Sequence, residues 1–222
     1  VNAGRIHPAT LKQYANNGIV YFASENVVYS VADGKIAELQ KTETNILDFS
    51  GQNTVYMLCE DALYKLENEK FERFFHNGAE AVVLACTDSK ITAAKNRTLN
   101  IVNGKRKHWM SIFPDHSTMP EFKINCIKFD NSLGFLWLGT DKGCYIFDCR
   151  CNWFGPNELK ALPAEEIYDI FFAEDGRVIL SSEAGLIILN NGSRKYLPAT
   201  RWACEKDVNC AIASGNSIWT AT

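Results

Sequence analysis

The chain has 222 residues, of which 46% are hydrophobic and 12% aromatic; this composition is typical of a folded protein rather than a disordered one. Its 23 basic and 26 acidic residues give a net charge of -3, so no cationic field of the kind that binds nucleic acid is present. The apolar runs are far shorter than the roughly 18 residues of a transmembrane helix. We therefore expect a globular protein that is not embedded in a membrane.

Short strand-like segments recur along the chain from near its N-terminus to its C-terminus. One apolar segment can be aligned six times, and corresponding residues are separated by 35 to 45 positions. A period near 40 residues is the signature of a repeat architecture. The aligned positions are Tyr21, Tyr56, Thr92, Trp137, Ile179 and Trp219.

Each repeat contains the elements of a small antiparallel sheet. An apolar strand A precedes the aligned strand B, an apolar strand C follows it, and a charged strand D comes last. Turn dipeptides that favour tight hairpins precede several of the D strands; they are Asp33-Gly34, Asn103-Gly104 and Asn191-Gly192. The pattern predicts an all-β fold, a β-propeller of four-stranded antiparallel blades in which strand D is outermost.

The two ends of the chain predict a shared blade. Leu11–Tyr14 reads as the outer strand of a hairpin that begins near Gly4, and Thr222 ends a strand B that has no strand C after it. We expect a single propeller domain over residues 1–222, of about six blades, in which the N- and C-terminal strands complete one blade and so hide two sheet edges. The alternative is a fragment of a longer propeller array.

The repeat at 124–148 resembles the two-component-regulator propeller repeat. It has an apolar strand ending in Asp130, then Gly134, the sequence Leu-Trp-Leu-Gly-Thr at 136–140, and Gly143-Cys144 after two variable residues. In that family such propellers form the extracytoplasmic sensor of hybrid histidine kinases, often reading carbohydrates. The resemblance implies a signal-transduction input domain in the periplasm, joined to the rest of a sensor kinase chain.

The D-A connections and B-C turns are the predicted ligand-binding segments, because both lie on one face of a propeller by analogy with other members of the fold. The unusually long interval before Trp137 places an extra segment, Trp109–Glu121, in one D-A connection. The alternative is that the turn residues are solvated tips and that this segment covers the end of a blade. The B-C turns contain Glu25, Glu60, Asp61, Asn96, Arg97, Asp141, Lys142 and Glu183, and the candidate ligand-binding residues are Arg97, Trp109, His116, Asp141 and Lys142.

No catalytic or metal-binding constellation is evident, and we predict no cofactor. The four histidines are isolated from local partners, whereas a general base needs a group within hydrogen-bond reach. The spacing of Cys149 and Cys151 is too tight for a usual zinc site, and Cys144 occupies a position of strand C that should point into packing. Buried thiols are the favoured interpretation for them, and a disulfide is the main alternative.

Three functional hypotheses remain. We favour a non-catalytic sensor or binding propeller that recognises a glycan or a peptide. The first alternative is a lyase or hydrolase whose residues converge from several blades and leave no sequence motif. The second is an intracellular protein-interaction scaffold with reduced cysteines.

Overall fold

The computed structural model describes residues 12–16, 18–77, 81, 83–86, 91–95, 98–103, 108–112, 122–149, 152–160, 162–190, 192–198, 208–214 and 217–221. These residues form twenty-two strands in five four-stranded sheets and one two-stranded sheet. All the pairings are antiparallel between consecutive strands. The chain divides into two compact units, Val1–Ile112 and Phe113–Thr222, which we describe separately.

The first unit contains three four-stranded sheets. Blade 1 comprises β1 (Lys12–Asn16), β2 (Ile19–Ser24), β3 (Val27–Ala32) and β4 (Lys35–Lys41). Blade 2 comprises β5 (Ile46–Gly51), β6 (Val55–Cys59), β7 (Ala62–Glu67) and β8 (Lys70–His76). Blade 3 comprises β9 (Val83–Cys86), β10 (Ile91–Lys95), β11 (Thr98–Asn103) and β12 (His108–Ile112).

The second unit contains two four-stranded sheets and a two-stranded one. Blade 4 comprises β13 (Ile124–Asp130), β14 (Phe135–Thr140), β15 (Gly143–Phe147) and the short β16 (Trp153–Phe154). Blade 5 comprises β17 (Ile167–Phe172), β18 (Val178–Ser182), β19 (Gly185–Asn190) and β20 (Ser193–Pro198). The terminal sheet comprises β21 (Cys210–Ser214) and β22 (Ser217–Ala221).

The outer D strands are less buried than the B and C strands of the same blades, as the charge pattern of the repeats predicted. Every residue of strands β6 and β15 is buried, whereas most residues of β4 and β20 are exposed. The apolar residues of strands A to C pack into clusters that join neighbouring sheets of the same unit. Charged outer strands protect these sheets against pairing with another edge.

The predicted turns and a repeated bulge shape the blades. Asp33 and Gly34 have φ values of 50° and 72°, which suits the hairpin turn between β3 and β4. Strands β5, β13 and β17 each carry a register irregularity just after their first residue. A bulge at the same place in three blades shows that these blades are copies of one module.

The glycine of the Leu-Trp-Leu-Gly-Thr stretch is required by close packing. A Cβ atom on Gly139 would lie 2.6 Å from the Sγ of Cys126 and 2.8 Å from Cγ2 of Ile167. Any side chain at this position would displace the inner strand of blade 4 or that of blade 5. The motif glycine is therefore a packing requirement between two blades.

The predicted all-β class and the four-stranded antiparallel blades are confirmed, but the predicted shared blade is wrong in its N-terminal part. Residues 12–14, which we assigned to an outer strand completing the last blade, lie in β1 and pair with β2 as strand A of blade 1. The sheets described are five complete ones and the two-stranded terminal sheet, not six complete blades. Gly4–His7 lies outside the described residues. That residues 1–222 form a single domain stays a prediction.

Candidate functional site

The B-C turns and the D-A connections lie against one another in both units, as predicted. In the first unit the amide of Thr42, just after β4, donates to the carbonyl of Asn26 in the β2-β3 turn at 2.8 Å. The amide of Asn77, just after β8, donates to the carbonyl of Asp61 in the β6-β7 turn at 2.9 Å. We call the surface formed by these turns and connections in each unit its B-C/D-A face.

Main-chain hydrogen bonds also join the turns to the connections in the second unit, two of them with the turn amide as the donor. The amides of Asp141 and Glu183, at the tips of two B-C turns, donate to the carbonyls just before strands β13 and β17 at 3.1 and 3.2 Å. The amide of Val208 donates to the carbonyl of Ser182 at 3.3 Å. The main chain thus fixes the positions from which the turn side chains project.

The B-C/D-A face of the first unit is centred on Asp61. The Asp61 carboxylate accepts hydrogen bonds from the Thr44 hydroxyl at 2.7 Å and the Tyr64 hydroxyl at 3.3 Å, and Arg73 lies 3.5 Å from it. Burial acts to raise the pKa of Asp61, but these hydrogen bonds and the Arg73 charge outweigh it and lower the pKa below its usual value. Asp61 is thus a persistent negative charge with defined neighbours.

A second carboxylate on this face is held by an amide. The Asn45 side chain donates to Glu60 at 3.0 Å, and Glu60 is exposed next to Asp61 in the same turn. Asn77 supports the turn from below, because its buried side-chain amide donates to the carbonyls of Cys59 and Ala81. Sequence patterns did not indicate Thr44, Tyr64 or Arg73, since they come from three different elements.

The B-C/D-A face of the second unit contains two of the predicted residues, Asp141 and Lys142, both exposed in the β14-β15 turn. The Asp141 carboxylate accepts a hydrogen bond from the amide of Lys123 at 2.7 Å, so part of its role is to hold the connection that leads into β13. The Lys142 side chain is exposed to solvent. Of these two residues, Lys142 is the better placed to contact a ligand.

An exposed tyrosine on this face was not predicted. Tyr196 in β20 is exposed, and its hydroxyl donates to the carbonyl of Ala184 in the β18-β19 turn at 2.6 Å. Burial of its hydroxyl and the charges of Glu165 and Glu183 raise its pKa above the usual value. An aromatic ring therefore lies beside carboxylates on the face where the sequence predicted only the turn residues.

The other predicted site residues do not join this arrangement among the described residues. Arg97 and His116 lie outside the described residues. Trp109 lies in β12, the outer strand of blade 3, rather than in the connection that we expected to begin there, because the strand continues through Ile112. Within the described ranges, no three His, Cys, Asp or Glu side chains are grouped so that they could hold a metal ion.

Of the three cysteines for which the sequence favoured buried thiols, Cys144 is buried as predicted, Cys149 is only half-buried, and Cys151 lies outside the described residues. Cys59, Cys86 and Cys144 are buried and free. Burial raises the pKa of the Cys59 thiol to about 12, and it raises the pKa of Cys86 and Cys144 well above the usual value. Because only the thiolate is a good nucleophile or metal ligand, these three residues act as apolar core side chains.

The fold is shared with solved extracellular domains of bacterial sensors. An extracellular domain assigned to a hybrid two-component system of B. thetaiotaomicron has a TM-score of 0.70 at 14% identity over 94% of this chain and 31% of its own length. A second such domain from the same organism has a TM-score of 0.58 at 12% identity, over 96% and 38% of the two chains. The nidogen/laminin complex contains a chain with a TM-score of 0.62 at 9% identity, over 84% and 77%.

These likenesses confirm the propeller fold and, at the level of the fold, the resemblance inferred from the sequence. The present chain spans about a third of the length of the two sensor domains. No protein-family model matches the chain, and no curated protein matches it in sequence. In the described part of the chain, no helix has the length and apolarity needed to cross a bilayer.

Proposed function

We propose that this chain is a non-catalytic, extracytoplasmic ligand-binding domain of a two-component type sensor, and that its ligand is a glycan or a peptide bound on the B-C/D-A face. The observation that carries the proposal is the exposed Tyr196 side chain, whose hydroxyl donates to the β18-β19 turn of the second unit. An aromatic ring provides a flat apolar surface, and the nearby carboxylates of Glu165 and Glu183 provide hydrogen-bonding groups. Lys142, in the β14-β15 turn of the same face, provides a further one. This combination suits a ligand that has both apolar faces and hydroxyl or amide groups.

The fold of the sensor domains supports the remaining parts of the proposal. Those proteins are extracellular domains of two-component systems, so we place this chain outside the cytoplasm and expect the rest of a sensor kinase chain as its partner in signalling. Fractionation of cells that express the native gene tests the location. Recovery of the protein with the cytoplasmic fraction would contradict it.

The binding test uses defined probes. Neutral oligosaccharides, acidic oligosaccharides and short peptides are titrated separately against the chain by calorimetry. For the probe that binds, we expect Lys142→Ala and Tyr196→Ala each to weaken the affinity about tenfold, which corresponds to about 1.4 kcal/mol. Lys195→Ala is the matched control, because Lys195 is an exposed lysine on the outer strand β20 next to Tyr196 in sequence.

The same titration tests the three other ligand-binding residues that were predicted from the sequence. Arg97→Ala, Trp109→Ala and His116→Ala are each expected to weaken binding as separate candidate ligand-binding residues, independently of Lys142 and Tyr196. Failure of every probe to bind, or unchanged affinity in both Lys142→Ala and Tyr196→Ala, would refute the site.

A further inference from the structure

The connection that leads into β17 contains a buried carboxylate oxygen that lacks a hydrogen-bond partner. Glu165 is half-buried. Its Oε2 is buried, and within the described part of the chain no group donates a hydrogen bond to it. A buried acceptor without a donor is costly, because it has lost its contact with water and has gained no partner in return. Glu165 therefore points to a hydrogen-bond donor that a ligand supplies.

Glu165 is one of two carboxylates that lie near the exposed Tyr196. The charges of Glu165 and Glu183 both act on the Tyr196 hydroxyl, and Glu183 is exposed at the tip of the β18-β19 turn. The Tyr196 side chain is 43% exposed although its hydroxyl is bonded to the carbonyl of Ala184 at 2.6 Å. An accessible aromatic side chain and two acidic groups therefore share one part of the B-C/D-A face of the second unit.

The hydrogen-bond donors around this turn are already used. The Glu183 amide donates to the carbonyl of Glu166 at 3.2 Å, and the Ala184 amide donates to Oγ of Ser182 at 3.4 Å. The Tyr196 hydroxyl uses its single hydrogen in the bond to Ala184. These groups therefore leave acceptor oxygens and an aromatic ring for a ligand to contact.

The adjacent Glu166 differs from Glu165, because its carboxylate has a partner. Its Oε1 accepts a hydrogen bond from the Asn125 side chain at 3.0 Å, and the same amide donates to the carbonyl of Ile167 at 3.1 Å. Both hydrogens of the Asn125 amide are thus used. Glu166 has a structural role between blades 4 and 5, whereas the Glu165 carboxylate keeps an unused acceptor.

A set of acceptors beside an aromatic ring matches the chemistry of an ammonium group. An ammonium group has three hydrogen-bond donors and no acceptor, and it is attracted both to carboxylates and to the face of an aromatic ring. A hydroxyl group lacks the charge, and an acidic ligand is repelled by the two carboxylates. The electrostatic complement of this part of the face is therefore a cation.

We propose that the ligand of the second unit's B-C/D-A face carries an ammonium group, which Glu165, Glu183 and Tyr196 bind together. The proposal rests on the proposed function, since it specifies the ligand of the same site. Amino sugars and lysine side chains both supply this group, so the test has one arm for each. Lys142, in the β14-β15 turn, contacts the oxygen atoms of the same ligand.

Calorimetry with matched pairs of probes tests the proposal. In one arm a trisaccharide of glucosamine is compared with its N-acetylated form. In the other arm a tripeptide that has blocked termini and a central lysine is compared with the same peptide acetylated at the lysine Nζ. Acetylation removes the charge, and the titrations are run at about pH 6, where the amines are protonated. In at least one arm we expect the charged probe to bind at least tenfold more tightly than its acetylated form, and to bind more weakly as the salt concentration rises.

Variants of the two carboxylates assign this preference to the site. Glu165→Gln and Glu183→Gln keep the shape of the side chain and remove its charge, so each is expected to weaken the binding of the charged probe about tenfold. Glu174→Gln is the matched control, because Glu174 is exposed in the β17-β18 turn at the opposite end of blade 5. Tyr196→Phe keeps the ring and is expected to lose less affinity than Tyr196→Leu. Circular dichroism confirms that each variant is folded.

The outcomes separate this inference from the proposed function. Equal affinity for the charged and acetylated probes, with both weakened by Tyr196→Ala, would refute the ammonium group and leave the ligand-binding site in place. Binding of the charged probe that Glu165→Gln and Glu183→Gln weaken no more than Glu174→Gln does would also refute it, since the charge would then be bound elsewhere. Failure of all probes to bind, whatever their charge, would refute the proposed function itself.

Discussion

Thr140 shows how one buried hydroxyl closes a B-C turn. Its Oγ1 donates to the carbonyl of Gly143 at 2.8 Å and accepts from the amide of Lys142 at 3.1 Å. Ser182 makes the same donated bond to Gly185 at 2.8 Å in the next blade. The final Thr of the Leu-Trp-Leu-Gly-Thr stretch is thus a turn-forming residue, and serine can replace it in this role.

We predict that Thr140→Val destabilises the protein by about 1–3 kcal/mol, because it leaves buried main-chain groups without their partner. Equilibrium unfolding in urea measures the loss. Thr140→Ser keeps the hydroxyl and is expected to lose much less stability. Equal losses in the two variants would show that the methyl group and its packing are what matter at this position.

The buried thiols make stability depend on pH in the alkaline range. The usual thiol pKa is 9.0, and burial raises that of Cys59 to about 12 in the folded protein. Above pH 9.0 the unfolded chain releases this proton while the folded chain retains it, so the free energy of unfolding falls as the pH rises from 9 towards 12. Below pH 9.0 the Cys59 thiol keeps its proton in both the folded and the unfolded state, so its ionisation does not lower the free energy of unfolding.

We predict that this pH dependence is weaker in Cys59→Ala than in the native protein. Urea unfolding of both proteins at pH values on either side of 9.0 measures it. The difference in stability between the two is expected to shrink with increasing pH. A difference that does not change with pH would show that Cys59 ionises as easily in the folded state as in the unfolded one.

Among the strands, the inner edge of blade 3 has backbone amides that donate hydrogen bonds to side chains rather than to another strand. Strand β9 is the inner edge of its sheet, and its Leu84 and Cys86 amides donate to Asp48 at 2.7 Å and Ser50 at 2.8 Å in β5. The acceptors and the donors are both spaced two residues apart, as the period of a strand requires. Blades 2 and 3 are thus joined by hydrogen bonds that substitute for a sheet ladder.

We predict that Asp48→Ala costs about 1.5–3 kcal/mol, because it removes a charged acceptor from a partly buried amide. Ser50→Ala is expected to cost about 1 kcal/mol. Urea unfolding gives both values, and hydrogen exchange is expected to speed up at the Leu84 amide in the first variant and at the Cys86 amide in the second. Glu72→Ala, at an exposed position of β8, is the control and should stay within about 0.5 kcal/mol of the native protein. Unchanged exchange at Leu84 in Asp48→Ala would contradict this account of the junction.

At the scale of the whole molecule, the two compact units divide the repeats between them. Repeat architectures are stabilised by contacts within a repeat and with its neighbours, so local damage is expected to spread mainly within one unit. We predict that Thr140→Val accelerates amide exchange in strands β13 to β16 of the second unit and leaves β5 to β8 of the first unit at their native rates. Native-state hydrogen exchange followed by mass spectrometry measures the exchange rates of the two sets of strands separately. Equal acceleration in both units would show that they open together.

The repeated module and the order of its strands follow from local features of the sequence. Hairpins form between neighbouring segments, and the alternation of apolar residues, the turn dipeptides and the charged outer strands are all local signals. They were sufficient to predict the four-stranded blades, the buried Cys144 and the position of Asp141 and Lys142 on a turn. They failed for Lys12–Asn16, because this polar strand has no apolar pattern of its own and takes its place only by pairing with β2.

The contacts between side chains of different blades could not be predicted from local features and became evident in the three-dimensional structure. Asp48 reaches an amide that lies 36 residues further along the chain, and Tyr196 reaches the turn at Ala184 from an outer strand. Such contacts depend on how separate sheets stack, and stacking leaves no local period in the sequence from which it could be inferred.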